Sequence, residues 1–589
     1  MEEGALINGT HVYVRSVFNP TEYDLTKIET KVLLAQIPTL RAIDELYLLQ
    51  KGGRNNVEMW RGIERVAASS KNPRIEEFRM MYQIYGCPYD SSGNKLKTPF
   101  TLEEWKATMK SLPSSDVLIG YGEFFTNPDE QKYAKRGYNV FLNETDMPEK
   151  EFVEWVNQYF QDENEGLHEV QKSARITPLL RLDTQVVVRG KNGDYKIEQT
   201  TWTESHPDIV QKAAESLWDA GKACASEFPV YSALLKATGR GMLTNNFDLR
   251  DVLLPQNDSR LYTFGGITEE YIGSQLGWSF VKKGAYDLVI GVKNPELSRV
   301  INETKSKVPG MLKKLPLNLR NESIADVNMQ AINTVFLAGD SYHFGFTLAA
   351  RNWPNDQILN ALYPCVIMHA KECNTRVKYL IKPVAEALLP PDKIPPDELL
   401  SKSVNYGTIL HEFSHSIGKR TIYDAPLEEG KATAGALWNY PLFTEDQKSL
   451  EGFYWTVPVN LVRTIRGGSD HETWEVNEAH AIGENALLEE LFASGAVKIS
   501  DGFFEVDPQG MIKTAEQYFI NAVQLEYGGD QGAVDEYLKP YRMAGQQVRE
   551  LIQRLNELKL PRSTYVDRGT IDELETRLNT HLKSLMRKT

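Results

Sequence analysis

Apolar residues recur three and four positions apart along LEEWKATMKSLP (102–113) and PEKEFVEWVNQYFQ (148–161), the spacing that lines one face of a helix. RLDTQVVVRGKNGDYKIEQTTW (181–202) follows another pattern. Two β-branched runs flank Gly190-Lys191-Asn192-Gly193, which predicts a β-hairpin closed by a glycine turn. RLYTFGGIT (260–268) and YDLVIGV (286–292) predict further short strands. ALLPPDKIPPDELL (387–400) carries four prolines and is the clearest break. Beyond it the pattern is mostly helical. QQVRELIQRLNELKLP (546–561) predicts an amphipathic helix stopped by Pro561. With no internal repeat or low-complexity tract, the chain reads as a β-containing front half and a helical back half.

Within the helical half, NYGTILHEFSHSIG (405–418) contains His411-Glu412-Phe413-Ser414-His415, an HExxH pattern. On a helix His411 and His415 stand one turn apart and point the same way, so two imidazoles can share one Zn²⁺. Glu412 projects beside them, placed to take a proton from an attacking water. Gly418 suits a helix C-terminus. Five-residue matches also arise by chance on surface helices. Here Thr408, Ile409, Leu410, Phe413 and Ile417 supply packing positions, and two of only ten histidines fall in this turn.

Catalytic zinc takes three protein ligands and keeps a fourth position open. Downstream lies DAPLEEGKATAGALW (424–438), where Pro426 fits a helix first turn and Asp424 or Ala425 its cap. Glu428 and Glu429 sit in that first turn. Thirteen residues separate His415 from Glu429, enough for an antiparallel return. An acidic pair there also simply favours the positive end of a helix dipole, and spacing alone does not choose between the two glutamates.

HEFSHSIG followed by LEEGKATAGALW resembles the paired zinc motifs of the dipeptidyl peptidase III family, nearest the relatives with a five-residue HExxH, including Nudix-associated ones. The resemblance implies zinc ligation by His411, His415 and Glu429, with Glu428 orienting a histidine from behind. VNEAHAIGENALLEELFASGAVK (476–498) is similar to a family helix whose histidine, here His480, stabilises the transition state. TEEYIG (268–273) resembles the family's E-x-Y-I-G and implies substrate amino-terminus binding by Glu269 and oxyanion stabilisation by Tyr271. VFLAGDSYHFGFTLAARNWPND (335–356) resembles a stretch ending in N-x-P-N, which implies peptide-backbone contacts from Asn352 and Asn355. The resemblance runs from about residue 260 to about 560. One departure is Thr433, where the family has an acid.

Composition narrows the remaining choices. A chain of 589 residues suggests two or more domains. Hydrophobic and charged fractions of 41% and 25% exclude a disordered or collagen-like chain. No apolar run approaches the ~18 residues of a membrane span. The net charge of −14 argues against general nucleic-acid binding, which needs Lys and Arg to displace counterions. Cys87, Cys224, Cys365 and Cys373 are too scattered for a disulfide framework. The acidic N-terminus carries no export signal, so the expected location is cytoplasmic and the five Asn-x-Ser/Thr sequons read as chance. Walker, dinucleotide and Gly-x-Ser-x-Gly motifs are absent.

The expected fold is α+β, a two-lobed architecture like dipeptidyl peptidase III with a wide cleft. A mostly helical zinc lobe would take 290–335 and 382–558. A mixed lobe with a β-barrel-like core would take 1–289, 336–381 and the tail 559–589. The expected activity is zinc-dependent release of N-terminal dipeptides from short peptides, with one Zn²⁺ per chain. Glu412, His480 and Tyr271 would be catalytic. Partners would be a short peptide or small molecule, with no nucleic acid and no membrane. The alternative is a zinc hydrolase, lyase or isomerase of the same fold acting on a non-peptide small molecule. Thr433 and the divergent front third motivate it.

Overall fold

The computed structural model describes residues 11–69, 73–86, 184–189, 195–269, 285–321, 328–343, 350–353 and 365–588, with a few shorter pieces. Helices expected over 102–113 and, apart from helical Gln158, over 148–161 lie outside the described residues, as does the turn at 190–193. Nine of the strands and eleven of the helices position the candidate site. The strands are β1 (His11–Arg15), β2 (Thr184–Arg189), β3 (Tyr195–Thr200), β4 (Leu261–Glu269), β5 (Ala285–Lys293), β6 (Asn328–Gly339), β7 (Ala350–Trp353), β8 (Cys365–His369) and β9 (Ser563–Asp567). The helices are α1 (Ile37–Ser69), α2 (Pro207–Cys224), α3 (Pro229–Thr244), α4 (Pro295–Lys314), α5 (Asp397–Ser414), α6 (Ala425–Asn439), α7 (Gln447–Gly468), α8 (Ala479–Ala493), α9 (Pro508–Gly528), α10 (Gln546–Glu557) and α11 (Ile571–Lys588).

The hairpin forms as its pattern predicts, with Thr184 opposite Thr200 and Arg189 opposite Tyr195. The two short apolar runs become β4 and β5, which pair antiparallel in a five-stranded sheet of order β4-β5-β6-β8-β7. β6 and β8 run parallel, Asn328 opposite Cys365, and β7 pairs antiparallel with β8. Successive strand residues face opposite sides. Met329, Ala331, Val366 and Met368 therefore enter one core with the back-half helices. Ile332, Phe336, Cys365 and Ile367 enter another with residues of α1, α2, α3 and α11. A sheet buried on both faces needs near-continuous apolar runs, and YDLVIGV is one except for Asp287, which is buried in an ion pair with Arg351.

The chain's ends meet. β9 pairs parallel with β1, Ser563 opposite His11, and the Tyr13 hydroxyl donates to Asp567 Oδ2 at 2.8 Å. The proline segment is a genuine break, since one helix ends at Leu388 and α5 begins at Asp397. One expectation needs correction. α10 buries Val548, Leu551, Ile552 and Leu555 on one face, as expected, but it ends at Glu557 rather than at Pro561. Leu558 N–H closes back onto Arg554 and Asn556 carbonyls, and Lys559 turns left-handed at φ 53°, so the stop precedes the proline. Among the described residues no helix is long and apolar enough to cross a membrane. Cys224, Cys365 and Cys373 are buried free thiols, and burial pushes Cys373 up to about 11, as expected of inert cysteines.

Candidate metal centre

α5 starts behind Pro395-Pro396 with Asp397 and Glu398 in its first turn, where a helix dipole favours acids. Ile409, Leu410 and Phe413 anchor its inner face in the helical core. The helix stops at Ser414, so His415 is its C-cap and HExxH straddles the last turn. After it Gly418 adopts φ +101°, and a Cβ there would lie 2.6 Å from Val523 of α9. The chain turns tightly and returns as α6, capped by the Asp424 side chain accepting from Leu427 N–H at 3.1 Å. Lys431 of α6 and Glu526 of α9 form a fully buried ion pair at 2.7 Å that fixes how α6 sits.

α8 crosses α6 where glycine meets glycine. A Cβ on Gly483 would lie 2.5 Å from Gly430 N, so the close approach requires both to lack side chains. One turn before Gly483, His480 is thereby brought to Glu429.

His411, His415 and Glu429 converge. His411 Nε2 lies 3.1 Å from His415 Nε2 and 3.1 Å from Glu429 Oε2. His415 Nε2 lies 3.8 Å from the same oxygen. Zinc held tetrahedrally at about 2.0–2.1 Å separates its ligand atoms by about 3.3 Å, so this set fits the ion in spacing and in donor chemistry. These side chains are only 14–16% exposed, which limits competition from water. Behind them, Glu428 Oε1 lies 3.0 Å from His415 Nδ1, an ion contact off the line of a straight N–H bond, and 3.3 Å from Arg420 Nη1. Thr433 Oγ1 lies 3.1 Å from His411 Nδ1.

The electrostatics are those of a cation site carrying protons instead. Burial alone would lower the His415 pKa, but Glu428 and Glu429 outweigh it and push it up to about 9. Burial would raise both glutamates, yet His415 brings Glu428 down to about 2. His480, His415 and His411 hold Glu429 well below the usual carboxylate range. His480 is half exposed, 3.3 Å from Glu429 Oε2, with its Nδ1 2.7 Å from Glu478 Oε1. Glu412 is partly buried beside this set and makes no hydrogen bond or ion pair among the described residues.

The structure thus brings together His411, His415, Glu428, Glu429 and His480, with Glu412 alongside. It does not place the remaining candidates in the site. Glu269 ends β4 after a bulge that follows Ile267, and Asn352 pairs with Val366. Their side chains, and the whole of Tyr271 and Asn355, lie outside the described residues. Sequence reasoning missed Arg420, Glu478, the Lys431–Glu526 pair and the hydrogen bond of Thr433. Only the last left a signal, since Thr433 follows Glu429 by four residues on one helical face.

No family model and no curated protein sequence matches this chain. Solved structures do. The structure of DPP III from Caldithrix abyssi matches with a TM-score of 0.71 at 19% identity, covering 96% of this chain and 98% of that one. The structure of dipeptidyl-peptidase III from Corallococcus sp. strain EGB matches with a TM-score of 0.72 at 18% identity, covering 97% and 98%. The fold is therefore that of dipeptidyl peptidase III, an α+β two-lobed architecture, over nearly the whole chain.

Proposed function

We propose that this chain is a zinc-dependent peptidase of dipeptidyl peptidase III type that releases N-terminal dipeptides from short peptides in the cytoplasm. The observation that carries the reading is the convergence of His411 Nε2, His415 Nε2 and Glu429 Oε2 in a chain of that fold. Those three residues would hold one Zn²⁺. Bound there, the ion supplies Lewis acidity, easing deprotonation of water and polarising a carbonyl. Glu412, which makes no hydrogen bond or ion pair among the described residues, takes the proton from the attacking water and hands it to the departing amine. His480 stands 3.3 Å from Glu429 Oε2 with its Nδ1 held by Glu478, beside the proposed metal position, where its ring would stabilise a developing oxyanion. Tyr271 would oppose it, Glu269 would bind the peptide's amino terminus, and Asn352 and Asn355 its backbone. In this reading the helical zinc lobe comprises 290–335 and 382–558, and the mixed lobe the remainder.

The non-peptide alternative drew partly on Thr433. Thr433 still offers His411 a hydrogen-bond partner, which weakens that motive. Hydrolysis of dipeptidyl-arylamides, abolished by chelator and restored by zinc, is the expected result. Stoichiometric zinc with no cleavage of any dipeptidyl-arylamide would favour the small-molecule reading.

A further inference from the structure

The two helix-borne imidazoles are backed by different chemistry. His415 Nδ1 faces a carboxylate, Glu428, which is itself held by Arg420. His411 Nδ1 faces a hydroxyl, Thr433 Oγ1, at 3.1 Å. Thr433 is partly buried and stands one turn beyond Glu429 on α6. One helix face therefore presents a ligand oxygen to His411 Nε2 and a second oxygen to the other nitrogen of the same ring. A neutral imidazole has one N–H and one lone pair. If Nε2 is to offer its lone pair to a metal, Nδ1 must carry the proton, and that proton needs an acceptor. Thr433 Oγ1 is the acceptor in reach.

We propose that Thr433 is a positioning residue that fixes the tautomer and ring orientation of His411, and so sets how tightly the site holds zinc without adding charge. The proposal rests on the zinc reading above and deepens it. Partners of this kind are worth about 10–100-fold in metal affinity. Threonine also has two near-isosteric replacements that separate its hydroxyl from its packing. Thr433→Val keeps the shape and removes the acceptor, whereas Thr433→Ser keeps the acceptor and removes the methyl.

The test is zinc affinity of the full-length protein, measured by competition with a chromophoric chelator, with melting of the metal-free proteins as a check on folding. We expect Thr433→Val to bind zinc about 10–100-fold more weakly. Thr433→Ser should stay close to the unsubstituted protein. Equal affinity in Thr433→Val overturns the proposal. So does a Thr433→Ser affinity as low as that of Thr433→Val, because packing of the methyl would then be responsible. Failure of the unsubstituted protein to bind zinc is a separate outcome, and it removes the metal reading itself.

Discussion

The α5–α6–α8 cluster and the five-stranded sheet fix the positions of their candidate residues by different means. In the helical cluster the critical distances are set locally. One turn of α5 separates His411 from His415, one turn of α6 separates Glu429 from Thr433, and a glycine crossing sets His480 against Glu429. In the sheet, Glu269 and Asn352 stand on its two edge strands, β4 and β7, three strands apart across β5, β6 and β8. Their placement depends on the register of every strand between them, including two bulges. Helix-borne chemistry is therefore compact and resistant to drift, which suits metal binding. Strand-borne positions can vary without disturbing the helical cluster.

That division can be broken experimentally. The largest expected effect is on the metal itself: Glu429→Ala should lose stoichiometric zinc by elemental analysis. Glu428→Ala should weaken binding about 10–100-fold, because Glu428 meets His415 at its rear nitrogen and not at Nε2. The reverse ranking would shift the ligand assignment by one residue.

Glu412→Gln should come next, with zinc content unchanged and turnover lower by at least ~10²-fold, since a positioned acid–base group supplies that much. Full activity in this variant would remove Glu412 from proton transfer.

The acidity of the cluster gives a third effect. In the metal-free protein His415 is protonated up to about pH 9, and zinc must displace that proton. Apparent zinc affinity should therefore rise about tenfold per pH unit toward pH 9 and level above it. For the metal-free fold the signs run oppositely for the two partners. The His415 contribution is whole below its ordinary 6.5 and is lost as pH climbs through about 9. The Glu428 contribution is whole above 4.5 and is lost as pH falls through about 2. From this pair alone, melting without metal should peak between those ordinary values. A zinc affinity independent of pH would contradict the protonated cluster.

The smallest effect belongs to the sheet side. Glu269→Gln and Asn352→Ala should leave zinc content unchanged and raise KM by roughly five- to tenfold, the worth of one hydrogen bond to substrate. Loss of zinc in either variant would show that the two regions are not separable in this way.

The same contrast explains what could be read from the chain alone. HExxH was legible because helical spacing is local, and so was the need for a carboxylate from 424–438. The choice between Glu428 and Glu429 was not, because two adjacent helical residues point about 100° apart and only packing shows which faces the ligand nitrogens. His480 required the resemblance, since a crossing of α6 and α8 brings it in and no spacing forecasts a crossing. Arg420 and the buried Lys431–Glu526 pair gave no signal, because any surface charge reads alike until its surroundings are known. At α10 a proline drew attention away from the left-handed Lys559 that follows the helix end.

The most direct test of the account is a crystal of the full-length protein grown with zinc and measured at the zinc absorption edge. The account predicts one anomalous peak per chain, about 2.0–2.2 Å from His411 Nε2, His415 Nε2 and a Glu429 carboxylate oxygen. A peak bound elsewhere, or none at saturating zinc, would contradict it.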